Sequence, residues 1–193
     1  MHRRLAMSVL AALVVSVLGA PVPARAADQY VVDAMHSSVY FKISHLGLSS
    51  VYGRFNSFTG SFTIDPSDAA NCAFAMTIRT ESIDTNNRKR DDHLRSPDFF
   101  NVKQFPAITF KATAVKPIQD GYEVTGDFTM HGVTKSIRFP LLGGRKAEFP
   151  KGVERTGFST ELTLKRSDFG MTKFAEALGD DVLVAISFEG TKK

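Results

Sequence analysis

The chain has no tryptophan and one cysteine among its 193 residues. A lone thiol has no intrachain partner, so no disulfide supports this fold and packing with hydrogen bonding must do so. Cys72 shares its parity with Phe74, Met76 and Ile78. That places it on an apolar strand face as an inert buried thiol, since a nucleophile would need a base and an electropositive setting. The sequence also lacks a nucleophile elbow, a phosphate loop, a dinucleotide fingerprint and any HxH, HExxH or Cys/His cluster. His36 and His45 differ in parity, so a regular strand turns them to opposite sides. Hydrogen bonding at strand ends and turns is the expected role of His36 and of His93. No catalytic residue, metal or cofactor is expected.

Long hydrophobic runs are missing too, with one exception at the start. Met1-His2-Arg3-Arg4 leads into the uncharged stretch Leu5–Ala20, then Pro21-Val22-Pro23 and the small-residue site Ala24-Arg25-Ala26. This is the order of a secretory signal peptide, and the apolar stretch falls short of the roughly 20 residues that a membrane span needs. Cleavage after Ala26 is expected, with a single domain over residues 27–193 located in the periplasm or secreted. Three basic residues leave with the leader, and the mature chain keeps 21 Lys+Arg against 20 Asp+Glu. A net charge near zero with alternating signs excludes the basic face that nucleic-acid binding requires.

What the sequence has in quantity is period-two alternation. Val39, Phe41 and Ile43 alternate with Tyr40, Lys42 and Ser44, and Val182, Val184, Ile186 and Phe188 with Leu183, Ala185 and Ser187. Eight strands are expected, near 30–46, 51–65, 72–81, 106–114, 121–130, 134–142, 154–166 and 181–191. Short helices fit only Asn86–Phe100 and Phe174–Leu178. His131-Gly132 suits a two-residue hairpin loop with positive φ at both positions. In the second strand Phe55 is odd while Phe58, Phe62 and Ile64 are even, which predicts a bulge near Asn56-Ser57. Gly53 and Gly60 there predict sharp curvature or close approach.

Eight antiparallel strands with one apolar face form a sandwich or a closed barrel, and an eight-stranded barrel stands at the threshold between a filled and a hollow interior. Sixteen phenylalanines supply the inward face. On strand parity the candidate lining is Phe41, Ile43, Phe55, Phe62, Phe74, Met76, Phe110, Ala112, Phe128 and Phe188. These same residues would also fill a solid core, and the pattern leaves both readings open. Arg88, Arg90 and Arg95 are candidates to hold a polar headgroup, because guanidinium forks match phosphate oxygens, although Asp91, Asp92 and Asp98 lie close enough in sequence to neutralise them.

A set of strings in fixed order resembles the YceI family of bacterial secreted proteins, described as polyisoprenoid-binding or lipid-binding. They are Asp33–Phe41, His45–Ser49, Gly53–Phe55, Ser82–Thr85, Arg90–Phe100, Phe105–Phe110, Gly126–Lys135 and Arg166–Met171. The resemblance implies an all-β, eight-stranded antiparallel lipocalin-like barrel with one or two short helices. It also implies a binding protein for a long-chain isoprenoid, quinone-like or fatty amphiphile, without metal or covalent cofactor, and compatible with a homodimer. A lipid- or phosphoester-modifying enzyme and a stress-responsive protein with a solid core are the alternatives.

Overall fold

The alternation becomes ten β-strands in the computed structural model, which describes residues 27–193; the predicted leader lies outside the described residues. The strands are β1 (Asp28–His45), β2 (Ser49–Phe55), β3 (Phe58–Ile64), β4 (Ala73–Arg79), β5 (Ile83–Asp84), β6 (Ala107–Ile118), β7 (Gly121–Met130), β8 (Val133–Glu148), β9 (Glu154–Lys165) and β10 (Leu178–Lys192), with one helix, α1 (Arg88–Arg95). They pair in the order β10-β9-β8-β7-β6-β4-β3-β1-β2-β5, and β10 pairs back onto β1. The result is a closed eight-stranded antiparallel barrel in which β2 and β3 act together as one wall strand. Closure removes the exposed edges that an open sheet would carry.

The bent strand lies where the parity of its phenylalanines changes. β2 and β3 are separated at Asn56-Ser57, and Phe55 and Phe58 are both buried. β1 spans both pieces: Asp28–Val31 pair with β3 and Val39–His45 with β2. On its other edge, β1 loses register with β10 between Asp33 and Ser38. Asp33 organises that bulge by accepting from the Met35 N–H at 3.0 Å and bonding His36 Nδ1 at 2.8 Å, while Ser37 Oγ donates to the Asp33 carbonyl at 2.7 Å. Gly53 serves close approach, since a Cβ there would run into the Phe41 ring and meet Thr85 Cγ2 at 2.8 Å. Gly60 is similarly pressed, with 2.8 Å from a built Cβ to the Ala75 carbonyl oxygen.

The turn chemistry agrees with the sequence at the β7–β8 hairpin, where His131 and Gly132 take φ of +52° and +77°. α1 lies inside the first predicted helical stretch and is capped by Asn87, whose side chain accepts from the Arg90 N–H. The second stretch, Phe174–Leu178, forms no helix. Phe174 sits at φ +54°, a left-handed conformation that cannot begin an α-helix, and Leu178 is already the first residue of β10. Cys72 is buried, its Sγ accepting from the Asp65 N–H at 3.3 Å.

Inside, the barrel divides into two apolar clusters. One end is packed solid around Phe62, whose ring stacks on Tyr30 at 4.9 Å and also contacts Phe74, Phe158 and Phe188 with centroids 5.4–5.9 Å away. A charged latch tightens this end across four strands. Lys146 Nζ donates to Asp28 at 2.6 Å and Glu154 at 3.0 Å, Tyr30 Oη donates to Glu154 at 2.6 Å, and Lys192 Nζ reaches Asp28 at 2.5 Å.

These partners set the acid response. Hydrogen bonds from Lys146 and then Lys192 hold the Asp28 carboxyl at about 2, and those from Arg155 and then His36 hold Asp33 at about 2. A carboxyl whose folded pKa lies below its unfolded value contributes stability above the unfolded value, and that contribution is lost as pH falls through the folded one. The expected result is a Tm that declines between about pH 4 and about pH 2, measured by calorimetry. Lys146→Met should lower the Tm above that window and converge on wild type at its acid end.

Candidate functional site

The opposite end of the barrel is hollow. A cavity of about 470 Å³ lies among the inner faces of β1, β2, β7, β9 and β10, beneath α1 and the segments 96–100 and 171–178. That volume falls within the range of about 300–1,000 Å³ usual for small-molecule sites. Phe41, Ile43, Phe55, Val182 and Val184 form its wall, and Leu94, Phe99, Phe100, Met171 and Phe174 its roof. Deeper in, Ile78, Ile108, Phe128, Leu164, Val184 and Ile186 are shared with a narrower cavity of about 70 Å³. Lining positions on β10 run from Leu178 to Phe188, so the two apolar spaces together extend about 33 Å along that strand at ~3.3 Å per residue.

The ten residues assigned to the lining by parity divide between these spaces. Phe41, Ile43, Phe55 and Phe128 line the large cavity, whereas Phe62, Phe74, Met76, Phe110 and Phe188 surround the narrow one, with Phe128 touching both. Ala112 packs against the solid cluster and lies off both linings, next to the register break between Ala112 and Ala114.

The three candidate headgroup arginines separate more sharply. Arg88 stands in solvent with its side chain 96% exposed and only a 4.0 Å approach to Asp92. Arg95 is a structural tie, donating to the carbonyls of Glu81 (2.8 Å) and Ile83 (2.7 Å) and pairing with Asp92 at 3.1 Å. Only Arg90 reaches the cavity lining. Its Nε and Nη2 each donate at 2.7 Å to Thr85, to the hydroxyl and the carbonyl respectively, and it forms no ion pair among the described residues. Thr85 Oγ1 in turn donates at 2.5 Å to the buried carboxyl of Asp91.

A second guanidinium lines the cavity, and the sequence analysis did not single it out. Arg166 is 5% exposed and donates to the carbonyl oxygens of Met171, Lys173, Leu178 and Gly179 at 2.7–3.2 Å. Among the described residues it forms no direct ion pair, although its charge is felt by the nearby Asp180 carboxyl. A buried cation is costly without full hydrogen bonding, and here four carbonyls supply that bonding. The available signal was parity, since Arg166 continues the even-numbered inward row of Phe158, Thr160, Leu162 and Leu164. The remaining polar wall comes from His45, Thr85 and His93.

Side chains from α1 and from two loops meet across the roof. His93 Nε2 bonds Asp98 at 3.0 Å, Lys173 Nζ lies 3.6 Å from the same carboxyl, and the His93 ring meets Phe99 and Phe174 edge-on at 5.1 and 5.9 Å. The hydrogen bond from His93, followed by the charge of Lys173, holds the Asp98 carboxyl below its ordinary range. Such a roof encloses an apolar space with cations at its edge. It can seat a flexible hydrocarbon and meet a polar end group.

The model of the YceI-like domain matches residues 30–190. A UPF0312 protein of Pseudomonas aeruginosa is 42% identical over 174 residues, which cover 88% of this chain and 90% of that one. Among solved structures, a Campylobacter jejuni YCEI protein superposes with a TM-score of 0.69 at 33% identity, over 78% of this chain and 90% of that one. A polyisoprenoid binding domain from Saccharophagus degradans shares the fold with a TM-score of 0.63 at 18% identity, over 85% of this chain and 98% of that one. The chain belongs to the YceI-like domain family.

Proposed function

We propose that this protein is exported to the periplasm, loses residues 1–26, and there holds one long-chain amphiphile, an isoprenoid, quinone-like or fatty chain, inside its barrel. The observation that carries the reading is the apolar cavity of about 470 Å³, which shares a belt of apolar side chains with a narrower inner space and is bordered by two guanidinium groups that form no direct ion pair among the described residues. Burying hydrocarbon contributes about 0.8 kcal/mol per CH₂, so ten carbons supply roughly 8 kcal/mol before ordering costs. The polyisoprenoid binding of the Saccharophagus domain is consistent with such cargo. Binding rather than turnover fits a wall in which Thr85, Arg90 and Arg166 are occupied in holding the chain around them. Arg90 at the rim and Arg166 in the wall would favour a head bearing oxygen acceptors or negative charge.

The test is displacement of a fluorescent fatty-acid probe from delipidated protein by prenols of increasing length. One site per chain is expected, with affinity rising with length until the passage is full. Affinity independent of length, or no saturable binding, would overturn the reading. Arg90→Gln should weaken a carboxylate- or phosphate-headed ligand by about tenfold, the loss of one charge-assisted contact of about 1.4 kcal/mol, and leave an uncharged prenol unaffected.

A further inference from the structure

Four large apolar side chains stand in solvent around the open end of the cavity. Leu46, Leu48 and Tyr52, on the hairpin joining β1 and β2, are 55%, 83% and 67% exposed, and Phe174, in the roof, is 39% exposed. The hairpin tip is tied to the roof segment by the Leu46 N–H, which donates to the Ala177 carbonyl at 2.7 Å. His45 and Val51, which flank the tip, line the cavity itself. The apolar tip is therefore continuous with the mouth.

The hairpin itself carries charge of one sign. From Lys42 to Arg54 the sequence has no acidic residue. β5 pairs with β2 and leads into α1, whose first two residues, Arg88 and Lys89, are exposed. Most of the nearby acids are matched, Asp84 by Arg54, Asp92 by Arg95, Asp98 by His93 and Lys173, and Asp180 and Asp181 by Lys165, while exposed Glu176 of the roof forms no ion pair among the described residues. Lys42 and Lys89 form no ion pair among the described residues. Leucines at a tip, a tyrosine set three strand positions back and lysines beside them are the composition of a surface that enters the headgroup region of a bilayer.

We propose that the protein docks mouth-first on an anionic phospholipid bilayer, with Leu46 and Leu48 entering the acyl boundary, Tyr52 at headgroup level, and Lys42 and Lys89 meeting lipid phosphates. The benefit of such docking rests on the amphiphile-binding reading, because a long hydrocarbon then passes from bilayer to cavity without crossing water. The docking itself needs no bound ligand. Flotation with vesicles of phosphatidylcholine, with and without phosphatidylglycerol, tests it on delipidated full-length mature protein.

Binding to the anionic vesicles, weakened by salt, is expected, with a loss of about tenfold in Leu48→Glu and a smaller loss in Lys42→Gln/Lys89→Gln. Leu48 lines neither cavity, so the fatty-acid probe should bind Leu48→Glu as it binds wild type. Absence of anionic-vesicle binding, or equal binding by wild type and Leu48→Glu, overturns the proposal. So does a wild-type dimer that Leu48→Glu splits in light scattering, which would assign the patch to a second copy. Vesicle binding without probe binding would instead sink the amphiphile-binding reading and leave the docking face standing.

Discussion

Val184→Trp is expected to weaken binding of a long-chain amphiphile by at least about tenfold, equivalent to about 1.4 kcal/mol, while leaving the barrel folded. Val184 lies on β10 between Phe41 of β1 and Leu162 of β9, and its side chain belongs to the belt shared by both cavities. An indole at that point fills the passage a hydrocarbon chain would take. In a packed core the same enlargement typically costs 1–3 kcal/mol through overpacking, about what Val184→Trp should escape because it grows into open volume. Leu183→Trp, the outward neighbour, controls for added surface hydrophobicity and should change neither binding nor stability. Probe titration and urea denaturation of the three proteins check the prediction. A Val184→Trp protein that binds normally would show that the hydrocarbon does not pass the belt.

Phe62→Ala should have the largest effect on stability, a loss of about 3–5 kcal/mol in urea denaturation. Phe62 is 3% exposed and its ring is the common partner of Tyr30, Phe74, Phe158 and Phe188. No neighbour can collapse into the space it leaves without giving up its own ring contacts, so the cavity penalty adds to the lost transfer energy. The vacated space would adjoin the narrow inner cavity, which Phe62 itself lines. Phe62→Ala should therefore shift the preferred prenol to a longer chain. A cost below about 1 kcal/mol would show that this end of the barrel is loosely packed.

Most of the barrel was legible in period two, because each wall strand buries one face and wets the other. The change of parity between Phe55 and Phe58 by itself marks the bend at Asn56-Ser57. Strand ends were less legible. β8 continues to Glu148, past the predicted 142, because a register shift between Gly143 and Lys146 absorbs residues that break the alternation. Phe174–Leu178 looked helical by length alone, and the positive φ at Phe174 has no signature that a phenylalanine would reveal.

For the site, parity told which side chains face inward but not which inward side chains leave space. Phe41 and Phe62 carry the same signal, yet one borders the large cavity while the other is the centre of a ring cluster and touches only the narrow one. That difference depends on how rings from five strands meet, which no single strand encodes. Ala112 shows the same limit: it keeps its register with Gly126 and packs inward on the ring cluster, yet borders neither cavity. Charge density was a poor guide to the rim: it marked Arg88, Arg90 and Arg95 alike, while only Arg90 reaches the cavity and the buried Arg166 carries no run of charges to mark it.

The central claim is that the hollow half of the barrel holds a long-chain amphiphile, and the direct measurement is mass spectrometry of the mature protein purified from its native host without detergent. Native spectra should show one copy of a long-chain amphiphile per chain, released intact by organic solvent and missing from Val184→Trp. Wild type that carries no such molecule, and takes none up when prenols are supplied, would contradict the account.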